Sequence, residues 1–481
     1  MSLKIYNSLT KQKEEFKPLK EGEVKMYVCG PTVYDEPHIG HLRSAYVFEM
    51  MRNYFIRHYH YKVIFVRNVT DVDDKIIQKA KDLNMPLGQG VKKISKLYHK
   101  LYTNELKRLG IKKPTEEPKA TEHIEDMLQL IKELIKEGVA YKTNGDVYFS
   151  VSSFKNYGKL SGQKKEAMLE GVRKELDENK RDPLDFALWK KAKEGEPSWG
   201  SPWGNGRPGW HIECSAMSMR YLGKYFDIHG GGRDLIFPHH ENEIAQSESL
   251  TKERFVKCWV HHGLITVNGQ KMSKSLRNYI MLNNLMEKDS KVVEKLKLLF
   301  LGTHYSMPLD YSEEKIQMEE SIRNKFINFL MTAEGFRNAI NKKDITKSKK
   351  ELKKYKDKFF IAMDNDFNTP QTLTVMHELV SFANSSDLMS TKIVAADTLK
   401  SMFRMLGLSY SDAYPKLNDY AQSFSYNLDQ LTSQRMQARL RKDFSRADNL
   451  KQEIIAFCEK NGYKVEFLDH QDTSETRVTK K

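Results

Sequence analysis

The apolar positions near the start of the chain fall into a strand, a helix and a second strand. Lys25-Met-Tyr-Val is a short apolar run of strand character, and after a polar loop Leu42, Ala45, Phe48, Met51 and Phe55 recur at helical spacing up to about His58. Lys62-Val-Ile-Phe-Val-Arg-Asn then supplies a β-branched strand. That order predicts a βαβ unit and a parallel sheet. On such sheets ligands sit beyond the carboxyl ends of the strands, where Cys29 and Thr70 fall.

The pattern loosens at Lys112-Lys-Pro-Thr-Glu-Glu-Pro, gives a helix near 123–137, and then two alternating runs around Asn144-Gly145, a hairpin signal. Charged segments follow to Pro197. The Gly/Pro-rich Trp199-Gly-Ser-Pro-Trp-Gly leads to a helix from about 211 to 222, a buried strand Phe226-Asp-Ile-His, a helix carrying Pro238-His-His-Glu-Asn-Glu-Ile-Ala, and another strand from Phe255. From about 312 the pattern is helical to the end. The expectation is an α/β chain: a doubly wound parallel-sheet nucleotide-binding domain in two halves, 1–111 and 201–311, split by an insertion at 112–200. A helical bundle over 312–410 and a small C-terminal domain over 411–481 follow.

Composition narrows the class. With 39% hydrophobic and 30% charged residues over 481 positions, the chain has the balance of a soluble globular protein. No apolar run approaches the ~18 residues of a membrane span, and Met-Ser-Leu-Lys-Ile-Tyr-Asn lacks the apolar region of a signal peptide, so a cytoplasmic protein without membrane contact is expected. Cysteines at 29, 214, 258 and 458 are too scattered for a disulfide framework, and without a C-x-x-C pair any metal site must be assembled from distant segments. The net charge of +15 favours a polyanionic partner such as nucleic acid, although lysines solvated on every face give the same balance.

Candidate chemistry sits at the start of the first helix. A strand feeding a polar loop that opens a helix presents backbone N–H groups to phosphate, and His38 and His41, three apart, share one face there. His239 and Glu243 are i and i+4, so one ion could meet both, and zinc accepts a mixture of thiolate, imidazole and carboxylate. Read from spacing alone, that pair is surface packing or a salt bridge before it is a metal site, Cys214 an inert buried thiol, and Lys271-Met-Ser-Lys-Ser an exposed basic loop. Asn268-Gly269 ahead of that loop predicts a mobile turn.

Five stretches besides His38-Ile-Gly-His41 and Lys271-Met-Ser-Lys-Ser275 carry a resemblance. They are Cys29-Gly-Pro-Thr-Val-Tyr-Asp, Arg67-Asn-Val-Thr-Asp-Val-Asp-Asp-Lys75, Gly209-Trp-His-Ile-Glu-Cys-Ser-Ala-Met217, Asp227-Ile-His-Gly-Gly-Gly232 and Phe237-Pro-His-His-Glu-Asn-Glu-Ile-Ala-Gln-Ser247. Together they make the chain resemble the cysteinyl-tRNA synthetases of the class I aminoacyl-tRNA synthetase family, over nearly its whole length. The resemblance implies a Rossmann-like catalytic domain and a helical anticodon- and stem-binding region. It implies ATP-dependent activation of L-cysteine and transfer to tRNA(Cys), by a monomer using one Zn2+ and Mg2+ with ATP. It also implies that Cys29, Cys214, His239 and Glu243 bind zinc; helical geometry turns the adjacent His240 about 100° away and leaves it outside the set. Lys274, Lys271, His38 and His41 then serve catalysis and bind ATP, with Asp227 to Gly232, and Gly230 and Gly231 in particular, expected near the nucleotide. Cys29, Thr70 and Trp210 line the amino-acid pocket, where a zinc-bound thiolate would be selected over a serine hydroxyl.

Two features depart from that family. Arg277 stands where glycine is usual, and the ending from Glu466-Phe-Leu-Asp-His-Gln-Asp-Thr473 lacks the tryptophan-bearing tail common in bacterial members. Two other readings use the same residues: a ligase joining cysteine to a small amine, and a non-catalytic RNA-binding protein on a synthetase scaffold. The long helical region and its arginines, including Arg435 to Asp448, argue for tRNA over a small amine.

Overall fold

A computed structural model describes residues 2–163, 168, 178–272, 276, 278–335, 342–410, 428, 431, 432, 434, 435, 438, 439, 443–460, 463–469 and 474–480. They form two compact units, Met1–Glu313 with Met363–Thr369, and Glu314–Ala362 with Pro370–Lys481. Among the described residues no helix is long and apolar enough to cross a membrane.

The first unit opens with an antiparallel pair, β1 (Lys4–Asn7) and β2 (Gln12–Glu15). Its central sheet comprises β3 (Glu23–Val28), β4 (Lys62–Arg67), β9 (Phe226–Gly232) and β10 (Val256–His262), in the order β10-β9-β3-β4 with every neighbouring pair parallel. Strand β3 is almost wholly buried, and Val24, Met26, Tyr27 and Val28 make it apolar but for Glu23 and Lys25, as suits a central strand covered on both faces. The predicted βαβ unit is completed by α1 (Ile39–Arg57) between β3 and β4. Helix α1 is buried around most of its circumference, Phe48, Met51 and Phe55 fully so. It is therefore a core helix and not an amphipathic cover. Helices α2 (Asp74–Asp82) and α3 (Leu87–Arg108) pack on each other through Ile76, Ile77, Ala80, Val91 and Ile94.

Helix α4 (Ile124–Lys136) leads into a separate antiparallel sheet of β5 (Ala140–Thr143), β6 (Asp146–Phe149), β7 (Phe186–Lys191) and β8 (Gly206–Pro208), in chain order. Asn144 and Gly145 join β5 to β6 with positive φ of 49° and 95°, the two-residue turn their sequence predicts. The sheet shares a core with α5 (Trp210–Leu222), where Met127, Ile131, Phe149, Phe186 and Leu188 meet Ile212 and Ala216. That shared core fixes the start of α5 against β7: Gly209 donates its N–H to Leu188 O at 2.8 Å, and a Cβ there would lie 1.9 Å from Ala187 O.

A π-type turn at Ile236–His240 runs into α6 (Glu241–Thr251). Beyond β10, β11 (Ile265–Val267) pairs antiparallel with β12 (Gln270–Lys271) and parallel with β13 (Leu309–Tyr311), with α7 (Leu282–Lys288) and α8 (Val292–Gly302) between.

The second unit holds most of α9 (Glu313–Glu334) and α10 (Lys342–Asp364), then α11 (Thr369–Asn384), α12 (Met389–Leu406) and α13 (Phe444–Lys460). Phe326 and Phe403 meet edge-on in its core. The chain does not stay helical to its end, as the sequence pattern suggested: β14 (Tyr463–Asp469) and β15 (Ser474–Lys480) form an antiparallel hairpin. The signal was a period of two, Tyr463, Val465 and Phe467 alternating with the exposed Lys464 and Glu466.

Candidate functional site

Cys29 stands at the carboxyl end of β3, Cys214 one turn into α5, His239 in the π-type turn and Glu243 at the start of α6. One ligand atom from each lies within 4.8 Å of all the others. The two sulfurs are 3.7 Å apart, Cys29 Sγ is 3.7 Å from Glu243 Oε1, and His239 Nε2 is 3.0 Å from Glu243 Oε1. Two thiolates on one tetrahedral zinc would sit about 3.8 Å apart, given Zn–S bonds of about 2.3 Å. His239 Nε2 is buried and, despite its closeness to Glu243, makes no properly angled hydrogen bond. An imidazole nitrogen left over in this way, among two sulfurs and a carboxylate, fits a metal ligand.

The electrostatics favour a cation. Burial would raise Glu243, yet His229 and His239 hold it down to about 2. Burial would likewise raise Cys214, but the Cys29 thiol and His239 bring it down to about 6. Cys29 stays high, through burial and then its neighbours Cys214 and Glu243. Burial lowers His239, but Glu243 and Cys214 lift it to about 10. Two groups held towards their anionic forms, Glu243 and Cys214, thus meet in a buried site that a cation would offset.

Further side chains orient this set. His229 Nε2 lies 2.8 Å from Glu243 Oε2, leaving Oε1 turned to the sulfurs. His211 Nδ1 lies 3.0 Å from His239 Nδ1, and Trp210 stacks on the His239 ring at 4.2 Å. The Thr70 hydroxyl donates to Glu213 Oε2 at 2.8 Å beside Cys214. His240 was expected to point away, but its Nε2 reaches 3.3 Å from Cys29 Sγ, and its Nδ1 lies 2.8 Å from His261. His239 and His240 lie in the π-type turn and not in a regular α-helix, so the 100° step does not separate them and both approach Cys29 and Glu243. Cys29, His229, His240 and Glu243 accordingly form a second possible ligand group sharing two members with the first. The group with Cys214 offers two sulfurs where the other offers one, and two thiolates suit zinc better.

On the same side of the sheet, His38 caps α1. Its Nδ1 accepts the Gly40 N–H at 3.1 Å, and its own N–H donates to His41 Nδ1 at 3.2 Å, a reciprocal cap made by two imidazoles. A ring nitrogen that accepts carries no proton, so the network places the proton of each ring on Nε2. Burial, then His38 and Lys75, hold His41 down to about 3. Both rings are hydrogen-bond donors at the positive end of a helix.

Several expected positions differ in role. Lys271 ends β12 and is exposed, whereas Lys274 and Arg277 lie outside the described residues. The Asn268-Gly269 turn is pinned, with the Gly269 N–H and the Thr266 hydroxyl both donating to Asp310 Oδ1 at 2.7 Å. Gly230 and Gly231 do not open their backbone to a ligand through the missing Cβ. That space holds Phe48 beside Gly230, and Leu235 and His240 beside Gly231. Asp227 lies at the amino end of β9, accepting from the Leu19 and Lys25 N–H groups at 2.6 and 2.8 Å, far along the strand from the glycines. Arg435 is buried against Phe467 at 4.6 Å and so does not offer itself to phosphate. The orienting residues His211, Glu213, His229 and His261 escaped sequence reasoning, because no spacing marks a residue whose partner comes from another strand or helix.

The sequence matches the family described as tRNA synthetases class I (C) catalytic domain over residues 15–321, and the DALR domain over 358–410. A cysteine–tRNA ligase of Thermococcus onnurineus is 43% identical over 469 residues, 95% of this chain and 96% of the relative. One of Sulfurihydrogenibium sp. is 44% identical, covering 94% and 96%. Among solved structures, a Mycobacterium tuberculosis methionyl-tRNA synthetase in complex with methionyl-adenylate superposes with a TM-score of 0.56 at 14% identity, covering 80% and 89%. A structure titled as a putative arginyl-tRNA synthetase from Campylobacter jejuni gives 0.55 at 14%, covering 82% and 94%.

Proposed function

Because the chain belongs to the cysteinyl-tRNA synthetases of class I, we propose that this site activates L-cysteine with ATP and passes the cysteinyl group to the 3′ end of tRNA(Cys). The observation that carries the reading is the convergence of Cys29, Cys214, His239 and Glu243 on one point beyond the carboxyl ends of the sheet, on the side where His38 and His41 cap α1. Cysteine carboxylate attacks the α-phosphate, pyrophosphate leaves, and a ribose hydroxyl of the tRNA then displaces AMP from the adenylate.

Such a reaction needs charge stabilisation and in-line positioning more than covalent help. His38 and His41 supply neutral Nε2–H donors to the phosphates, Lys271 and Lys274 supply ammonium groups, and Mg2+ accompanies ATP. Gly230 contributes by letting β9 and α1 pack closely, and Gly231 by leaving room for Leu235 and His240. Thr70 and Trp210 bound the amino-acid pocket, and Cys29 joins it to the cation site. Zn2+, one per chain, would be held by Cys29, Cys214, His239 and Glu243 and supplies a thiophilic charge for the substrate sulfur. A serine hydroxyl, hard and protonated, gains little there, whereas shape alone would separate such near-isosteres weakly.

Residues 1–111 and 201–311 are assigned to the catalytic fold and 112–200 to its insertion. Residues 312–410 are assigned to stem and anticodon binding, and 411–481 to anticodon recognition, in a monomeric cytoplasmic enzyme. The test is ATP–pyrophosphate exchange with cysteine and with serine, followed by transfer to tRNA and metal analysis. Cysteine-dependent exchange, little with serine, and about one zinc per chain are expected. Exchange with neither amino acid would leave only a binding scaffold, and exchange without transfer would indicate a small-amine ligase.

A further inference from the structure

His38 does not stand alone at the head of α1. Its ring lies between two others: His41 on one face, with centroids 3.8 Å apart and planes 27° apart, and Tyr279 on the other at 4.9 Å and only 5°. Tyr279 comes from the segment that follows the second signature. That segment is laid along the cap of α1 by main-chain contacts. Ile39 donates its N–H to Ile280 O at 2.9 Å, and His38 and Met281 form an antiparallel bridge. Asn278 Nδ2 donates to Lys271 O at 3.1 Å, which ties the same segment to the end of β12.

We propose that Tyr279 is a positioning residue for adenylate formation, holding the His38 imidazole edge-on to the phosphates through a three-ring stack that joins the second signature to the first. The proposal rests on the reading that His38 contacts ATP. Its physical content is restriction. The backbone hydrogen bond to Nδ1 fixes which edge of His38 faces inward, but one 3.1 Å bond leaves the ring free to rock about it. Rings packed against it at 27° and 5° restrict that freedom, which would keep the Nε2–H aimed where charge develops. A hydroxyl is not needed for this, whereas a flat ring is.

The experiment compares Tyr279→Phe, Tyr279→Leu, His38→Ala and the double variant Tyr279→Leu/His38→Ala in pyrophosphate exchange. We expect Tyr279→Phe to behave as wild type. Tyr279→Leu should lower kcat/KM for ATP by about tenfold and leave KM for cysteine unchanged, a loss comparable to one aromatic stack. The double variant should be no worse than His38→Ala alone, because the ring to be positioned is gone. If His38→Ala exchanges normally, the reading of His38 itself is wrong. If His38→Ala is impaired while Tyr279→Leu is normal, or if the two losses add in full, the stack has no positioning role. A second readout needs no turnover: in histidine-labelled protein the His38 ring protons should lose the Tyr279 part of their upfield ring-current shift in Tyr279→Leu and keep it in Tyr279→Phe. An unchanged shift in Tyr279→Leu would overturn the proposal.

Discussion

At the scale of single residues, the site is held by side chains whose neighbours come from elsewhere in the chain. Gly230 is an example: a Cβ would stand 2.3 Å from the ring of Phe48, which is fully buried. Gly230→Ala should therefore destabilise the catalytic unit by about 1–3 kcal/mol through overpacking, seen as a lower urea midpoint with the m-value unchanged. His229 is another, since its contact with Glu243 Oε2 leaves Oε1 for the cation. His229→Ala should weaken zinc retention by about 10- to 100-fold in chelator competition. Unaltered retention would show that Glu243 orients itself.

At the scale of elements, helix ends and strand ends gather the titratable groups. His262, last in β10, is pushed down to about 4 by burial, with Arg43 adding to the effect, and His41 in α1 is down to about 3. Both are neutral in the folded chain at pH 5, whereas unfolded histidines take up protons below about 6.5. The unfolded state then binds more protons, so stability is full above about 6.5 and is lost as pH falls towards 4 and 3. For His262 the loss at pH 5 is about 2 kcal/mol. Urea denaturation of His262→Gln from pH 7 to 5 should show a shallower slope than wild type; parallel slopes would remove His262 from the account.

At the scale of the whole molecule, the chain leaves the first unit at Glu313 and returns to it for Met363–Thr369. Asp366, at φ +64°, accepts from the Tyr305 hydroxyl at 2.7 Å and the Tyr6 N–H at 2.9 Å, and Asp364 accepts from the buried Tyr54 hydroxyl at 2.8 Å. Asp366→Ala should cost about 1–3 kcal/mol in denaturant unfolding by stranding those donors. Asp366→Asn, which keeps an acceptor and tolerates a positive φ, should cost less. Equal losses would mean that the donors find water instead. A fragment ending at residue 313 lacks these acceptors, so it should be less stable than the same unit in the full chain.

The βαβ order, the Asn144-Gly145 turn and the core positions of α1 were legible because local rules dictate them: apolar period, turn chemistry and β-branching act between residues near in sequence. The four candidate ligand side chains and the two signatures could be picked out as residues. Their convergence was expected from the resemblance alone and not from spacing, because Cys29, Cys214 and His239 are brought together by parallel strands and crossing helices. The same holds for His240, which helical spacing turned away and the neighbouring strand met, and for Gly230, whose missing Cβ makes room for Phe48. Sequence determined which chemical groups this protein carries and the secondary structure that bears them. Tertiary packing alone decided which of them touch, because contact between distant residues depends on how whole elements pack, and no local interaction encodes that.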